Sequence, residues 1–115
     1  MSITIYHNPK CSKSRQTLKL LEEQATGIDV IEYLKNPPTI KKLKEILSLL
    51  KISPRELMRK KETEYKELML SNSNLSDKDL IESMIKHPIL IERPIVLANG
   101  KAVLGRPPEN VLNII

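Results

Sequence analysis

The sequence predicts an α/β domain with a mixed sheet, and two segments carry that reading. Near the N-terminus, strand, helix and strand follow one another within about 31 residues, the βαβ unit whose strands are parallel and whose crossover is right-handed. Near the C-terminus, Ile95-Val96-Leu97 and Ala102-Val103-Leu104 flank Asn99-Gly100, the strongest short-range signal for an antiparallel hairpin. A parallel pair and an antiparallel pair in one core are compatible with a mixed sheet. At 115 residues one core is expected, so residues 1–115 are read as a single domain.

The elements follow in order. Ile3 to Tyr6 alternates around Thr4 as a short strand, and Asn8-Pro9 ends it because proline lacks a ladder donor. A helix starts at Ser12, with Leu18, Leu20 and Leu21 on its apolar face and Gly27 expected as its C-cap. Ile28 to Tyr33 reads as the second strand. Pro37-Pro38 breaks the chain, and helical spacing resumes at Leu43, Ile46, Leu47 and Leu50. Pro54 suits the first turn of another helix through Leu57 and Met58. Ser76 with Asp79 forms a capping-box pattern ahead of Leu80, Ile81, Met84 and Ile85, and Pro88 stops that helix. Residues of about 38–87 therefore form a helical insertion between two β-containing parts. With a two-residue Asn99-Gly100 turn, Ala98 faces Lys101, Val96 faces Val103, Ile95 faces Leu104, Pro94 faces Gly105 and Arg93 faces Arg106. Pro107-Pro108-Glu109 then opens a short C-terminal helix through Val111, Leu112 and Ile115, completing a ββα ending.

Composition narrows the function. Apolar residues make up 40% with no Phe or Trp, so the core is aliphatic, and 19 Lys plus Arg against 14 Asp plus Glu give a net charge of +5. That balance favours an anionic partner. Tyr6, Tyr33 and Tyr65 are scattered and offer no stacking platform, so a small anion is expected in place of nucleic acid. Cys11 is the only cysteine, which excludes an internal disulfide and a multi-cysteine zinc site. His7 and His87 do not suggest a metal site either, and no bound cofactor is expected. The N-terminus lacks a signal-peptide pattern and no apolar run approaches ~20 residues, so a soluble, cytoplasmic protein without membrane association is expected.

The chemistry centres on Cys11. It lies between a strand end and a helix start, where unpaired N–H groups and the positive end of the helix dipole favour a thiolate. Lys10, Lys13 and Arg15 add positive charge, which lowers a thiol pKa further. A lone cysteine is more often a small buried hydrophobe; this position reverses that preference. The same helix start is an anion cradle, with Ser12 and Ser14 as hydroxyl donors and Arg15 as a nearby cation. Ser14 stands where a Cys-x-x-Cys pair would place its second thiol, so an external thiol must resolve oxidised Cys11. His7 is placed to tune the thiol or relay a proton, with a polar strand-end histidine as an equal alternative. His87, at a helix end, is better read as a capping residue. Arg59, beside Lys60 and Lys61, reads from its neighbours alone as part of a solvated basic face. Arg93 and Arg106 are stronger candidates. The hairpin register sets them side by side, a repulsive arrangement unless an anion lies between them, and arginine's fork matches tetrahedral oxyanions.

Tyr6-His7-Asn8-Pro9-Lys10-Cys11-Ser12-Lys13-Ser14-Arg15, Glu92-Arg93-Pro94-Ile95-Val96 and Gly105-Arg106-Pro107-Pro108-Glu109 together resemble the glutaredoxin-coupled arsenate reductase (ArsC) family. Glu56-Leu57-Met58-Arg59 and the segment from Leu80 to Pro88 fall where that family has its helical insertion, so the resemblance covers nearly the whole chain. It implies a thioredoxin-like fold in which Pro94 is cis and sits beside the cysteine. It also implies Cys11 as nucleophile, His7 as its modulator, and Arg59, Arg93 and Arg106 as the clamp on the oxyanion. The activity implied is arsenate reduction: the Cys11 thiolate attacks arsenate, glutathione attacks the adduct as co-substrate, and glutaredoxin completes reduction to arsenite. Ser12-Lys13 departs from the Gly-Thr of the best-established arsenate-resistance enzymes, which makes this chain look like a compact, arsenate-reductase-like member. A glutathione-dependent thiol oxidoreductase of the same fold is the alternative reading. A third is an Spx-like regulatory or binding protein; those relatives commonly carry Cys-x-x-Cys, and Ser14 argues against that branch.

Overall fold

The computed structural model describes residues 2–115, which divide into two compact units, one reaching to Asn36 and resuming with Arg93–Ile115, the other Pro37–Glu92. The first unit holds β1 (Ile3–His7), α1 (Ser12–Gln24), β2 (Asp29–Glu32), β3 (Ile95–Ala98), β4 (Lys101–Leu104) and a 3-10 helix over Pro108–Asn113. Its four strands run in the order β2-β1-β3-β4. β1 pairs in parallel with β2 and antiparallel with β3, and β3 pairs antiparallel with β4, so the sheet is mixed as expected.

Alternation along β1 puts Ile3 and Ile5 on one face, and the β1–β3 register sets them opposite Ala98 and Val96. All four are buried, and Leu21 of α1 with Val111 and Ile114 closes an aliphatic core around them. Asn99-Gly100 makes the expected hairpin, both residues having positive φ (54° and 72°) as a type I′ turn requires. The register is the expected one: Ala98 opposite Lys101, Val96 opposite Val103 and Ile95 opposite Leu104. The Gly105 N–H then donates to the Pro94 carbonyl at 2.9 Å.

In the second unit α2 (Ile40–Leu50), α3 (Pro54–Leu57), α4 (Thr63–Glu67) and α5 (Asp77–Lys86) precede a 3-10 turn over Pro88–Leu90. The Ser76 and Asp79 capping box is complete, with a second at Ser53 and Glu56. Leu43, Ile46, Leu47, Leu80, Ile81 and Met84 are buried.

Two expectations need correction, and one element was not anticipated. Gly27 is not the C-cap of α1, because the helix ends at Gln24 with Ala25 in extended backbone (φ −155°, ψ 165°); Gly27 uses its positive φ of 70° in the turn leading to β2. The C-terminal helix is 3-10 throughout, its turns closed by Asn110 N–H to Pro107 and Ile114 N–H to Val111. α4, only five residues long, had no periodic signal to reveal it.

Candidate active site

Strand direction assembles the site. Tyr6 lies opposite Ile95, so the residues after β1 meet those before β3, and the antiparallel β4 returns its C-terminal end to the same edge. His7 to Cys11, Arg93-Pro94 and Gly105-Arg106 therefore come together in one unit, with the Arg93-Pro94 and Arg106-Pro107 peptide bonds both cis.

The loop carrying Cys11 is tied down by its own backbone. Cys11 N–H donates to the Asn8 carbonyl at 3.0 Å, and Lys10 N–H donates to Asn8 Oδ1 at 3.0 Å. Arg15 Nη1 donates to the Pro9 carbonyl at 2.9 Å, so the arginine expected to flank the anion cradle reaches back over the loop. Cys11 is the N-cap of α1, with non-helical φ −96° and ψ 123°, and is partly exposed. It makes no well-aligned capping bond, consistent with a thiol being a weak acceptor until it ionises.

Ionisation is favoured here. Burial alone would push the thiol pKa up. The Ser14 N–H, the donating Arg93 guanidinium with its charge, and the Lys13 N–H more than offset it, leaving Cys11 below its ordinary value. The helix start acts as expected. The leading cation, however, is Arg93 from the hairpin and not the neighbours Lys10, Lys13 and Arg15 that sequence proximity suggested.

His7 is buried, at 6% exposure, and desolvation is the main cause that lowers its pKa; Arg15 acts in the same direction, and Glu32 and Glu22 oppose it. A neutral imidazole is therefore favoured, which supplies no positive charge to Cys11. Its Nδ1 lies 2.6 Å from Ser14 Oγ, and Asn8 N–H donates to the same oxygen at 3.0 Å. Ser14 is fully buried. Its hydroxyl is committed to His7 and Asn8, so it is not the outward-facing anion donor that the sequence suggested; its contribution to the sulfur is its main-chain N–H. Ser12 is exposed at the first position of α1.

Arg106 Nη1 donates to the main-chain carbonyl of Arg93 at 3.0 Å. The two arginines expected side by side are adjacent through this bond, and the Arg93 side chain donates to the Cys11 sulfur. Arg59 belongs to the Pro37–Glu92 unit and pairs there with Glu92 and Glu62. His87 caps α5 through its main-chain N–H.

Thr17 went unremarked, and Gly105 was read only for its place in the hairpin and the motif. A Cβ on Gly105 would lie 2.6 Å from Thr17 Oγ1 and 2.8 Å from Pro94 Cγ, so only glycine lets the arginine-bearing end of β4 approach α1 this closely. Thr17, fully buried, donates its hydroxyl to the Lys13 carbonyl at 2.8 Å, with Gly105 carbonyl oxygen at 3.3 Å. Gly105 directly before Arg106-Pro107 was a signal available in the sequence; its contact with Thr17, 88 residues away, was not. Among the described residues no cluster of His, Cys, Asp or Glu could hold a metal ion, and no helix is long and apolar enough to cross a membrane.

Comparison with known proteins gives a consistent picture. Residues 6–114 match the ArsC family. The chain is 54% identical to protein YfgD of Escherichia coli over 98% of its own length and 96% of that protein. It is 52% identical to an arsenate reductase of Neisseria meningitidis, covering 95% of this chain and 94% of the other. A solved arsenate reductase structure from Vibrio cholerae superposes with a TM-score of 0.96 at 54% identity, covering 100% of this chain and 98% of that one.

Proposed function

The chain belongs to the ArsC family and has its thioredoxin-like fold, and from that premise we propose that it is an arsenate reductase with Cys11 as its nucleophile. The observation that carries the proposal is the thiol at the start of α1 with the Arg93 guanidinium against it. That pairing favours the thiolate form and sets a cation where an oxyanion must arrive.

In the proposed reaction the Cys11 sulfur bonds to arsenic and water leaves. A second thiol then attacks, the sulfur–arsenic bond breaks with its electron pair going to arsenic, and As(V) becomes As(III). The sulfurs end as a mixed disulfide. Glutathione is the thiol that the family resemblance assigns, and glutaredoxin removes it to restore Cys11. The lone cysteine supports this division of labour, because no second thiol of the chain can resolve the first. Arg93 and Arg106 are assigned to the oxyanion, with Ser12 and the α1 amides beside them; Arg59 is assigned to it from the resemblance. Arg15 and Ser14 support the loop, and His7 supports Ser14. We read residues 37–92 as an insertion in one thioredoxin-like domain, and a cytoplasmic setting, where reduced glutathione is abundant, suits the chemistry.

The test is arsenate-dependent NADPH oxidation coupled through glutathione reductase, glutathione and glutaredoxin. Turnover in the wild type and none in Cys11→Ser is expected. Wild-type rates no higher than those of Cys11→Ser would overturn the proposal.

A further inference from the structure

Thr17 has no part in the chemistry above, yet it lies where the helix of Cys11 meets the arginine-bearing end of the sheet. Of the groups that favour the Cys11 thiolate, the Ser14 and Lys13 amides belong to the start of α1 itself, whereas Arg93 comes from beyond it. The amides follow the sulfur wherever α1 sits. The contact with Arg93 depends on how closely α1 packs against the Arg93-Pro94 segment, and that spacing passes through Gly105.

Gly105 lies between Thr17 and Pro94 with no room to spare, since a Cβ on it would stand 2.6 Å from Thr17 Oγ1, 2.9 Å from Thr17 Cγ2 and 2.8 Å from Pro94 Cγ. Its N–H donates to the Pro94 carbonyl at 2.9 Å, and the next residue, Arg106, bonds the Arg93 carbonyl through Nη1 at 3.0 Å. Displacing Gly105 therefore pulls on both residues of the Arg93-Pro94 pair. On the helix side, the single hydroxyl hydrogen of Thr17 is shared between the Lys13 carbonyl at 2.8 Å and the Gly105 carbonyl at 3.3 Å, a three-centre bond. The first turn of α1 and the end of β4 thus meet on one hydrogen. Thr17 and Gly105 are both buried, so bulk water cannot replace that donor, and a buried carbonyl deprived of it is driven to move.

We infer that Thr17 is a positioning residue for Cys11, its hydroxyl holding the Gly105 backbone, and with it Arg93, at the spacing where the guanidinium reaches the sulfur. The inference rests on the reading of Arg93 as the cation beside Cys11. A threonine that only filled space could be replaced by valine, its near equal in shape, with the charge state of Cys11 unchanged.

The rate of Cys11 alkylation by iodoacetamide against pH reads the site without substrate or reductant. Thr17→Val sets a methyl against the Gly105 carbonyl and is expected to move the inflection up, in the same direction as Arg93→Ala and by no more. Thr17→Ser, which keeps the hydroxyl, should stay close to the wild type. In an Arg93→Ala background Thr17→Val should shift the inflection no further. Gly105→Ala forces a methyl into the same contact from the sheet side, so it too should move the inflection up, and it supplies the reading if Thr17→Val does not fold. A wild-type inflection in Thr17→Val or Gly105→Ala, a Thr17→Ser inflection as high as that of Thr17→Val, or an undiminished shift in the Arg93→Ala background would each overturn the inference. If Arg93→Ala itself inflects with the wild type, the reading of Arg93 fails and the role of Thr17 falls with it. If Arg93→Ala shifts the inflection and Thr17→Val does not, only the role of Thr17 fails.

Discussion

Burial disfavours charge on both His7 and Cys11, yet the two end in opposite states. The thiol is compensated by the Ser14 and Lys13 amides and by Arg93, so its charged form prevails at lower pH than for an ordinary thiol. The imidazole gains no sufficient partner for its charge and stays neutral. The rate of Cys11 alkylation by iodoacetamide against pH should therefore inflect below that of an ordinary thiol. Arg93→Ala should move that inflection up, and an unmoved one would show that Arg93 does not act on the sulfur. For His7 the sign follows from proton binding. Its folded pKa lies below its ordinary value of 6.5, so as pH falls through about 6.5 the unfolded chain takes up a proton that the folded chain does not. Stability should fall as pH drops below that point, and His7→Gln should flatten the slope in urea titrations. At this scale the sequence was legible where the chemistry is local: the helix start beside Cys11 is visible in Asn8-Pro9 and Ser12. It misled where a side chain chose among partners. Ser14 turned inward to His7 and Asn8, Arg15 turned back to Pro9, and the cation beside the sulfur came from 82 residues along the chain, an arrangement only strand pairing creates.

Among the elements, the hairpin was the most readable, because Asn99-Gly100 fixes the turn type and the turn type fixes the register. That register delivers Arg106 beside Arg93 and brings Gly105 against Thr17 and Pro94. Gly105→Ala should therefore destabilise the protein by about 1–3 kcal/mol, the usual cost of overpacking a tight contact, because the neighbours are a buried Thr17 and a proline ring with little freedom to move. Chemical denaturation would measure it, and an unchanged midpoint would mean that α1 yields to the added methyl. The complete capping box at Ser76 makes a smaller claim: Ser76→Ala should cost about 1 kcal/mol in the same experiment. Helix ends resisted reading more than helix centres. Gly27 looked like a C-cap by residue type, but Ala25 had already left the helix. The proline-opened C-terminal segment closed as 3-10 turns with Asn110 Nδ2 bonding the Leu104 and Arg106 carbonyls, a tertiary choice that periodicity does not record.

For the whole molecule, the net charge of +5 and the single cysteine constrain function together. A basic chain without a stacking surface suits a small oxyanion, and a thiolate without an internal partner needs an external thiol to turn over. The same thiol chemistry would also serve a glutathione mixed disulfide, so the substrate itself is the central claim. The most direct measurement is the arsenite formed when wild type or Cys11→Ser is supplied with arsenate, glutathione and glutaredoxin, run beside the same proteins given a glutathione mixed disulfide. The expected result is arsenite accumulating with the wild type alone, in proportion to the NADPH consumed through glutathione reductase. Reduction of the mixed disulfide with no arsenite above the Cys11→Ser level would contradict it and make the protein a thiol oxidoreductase.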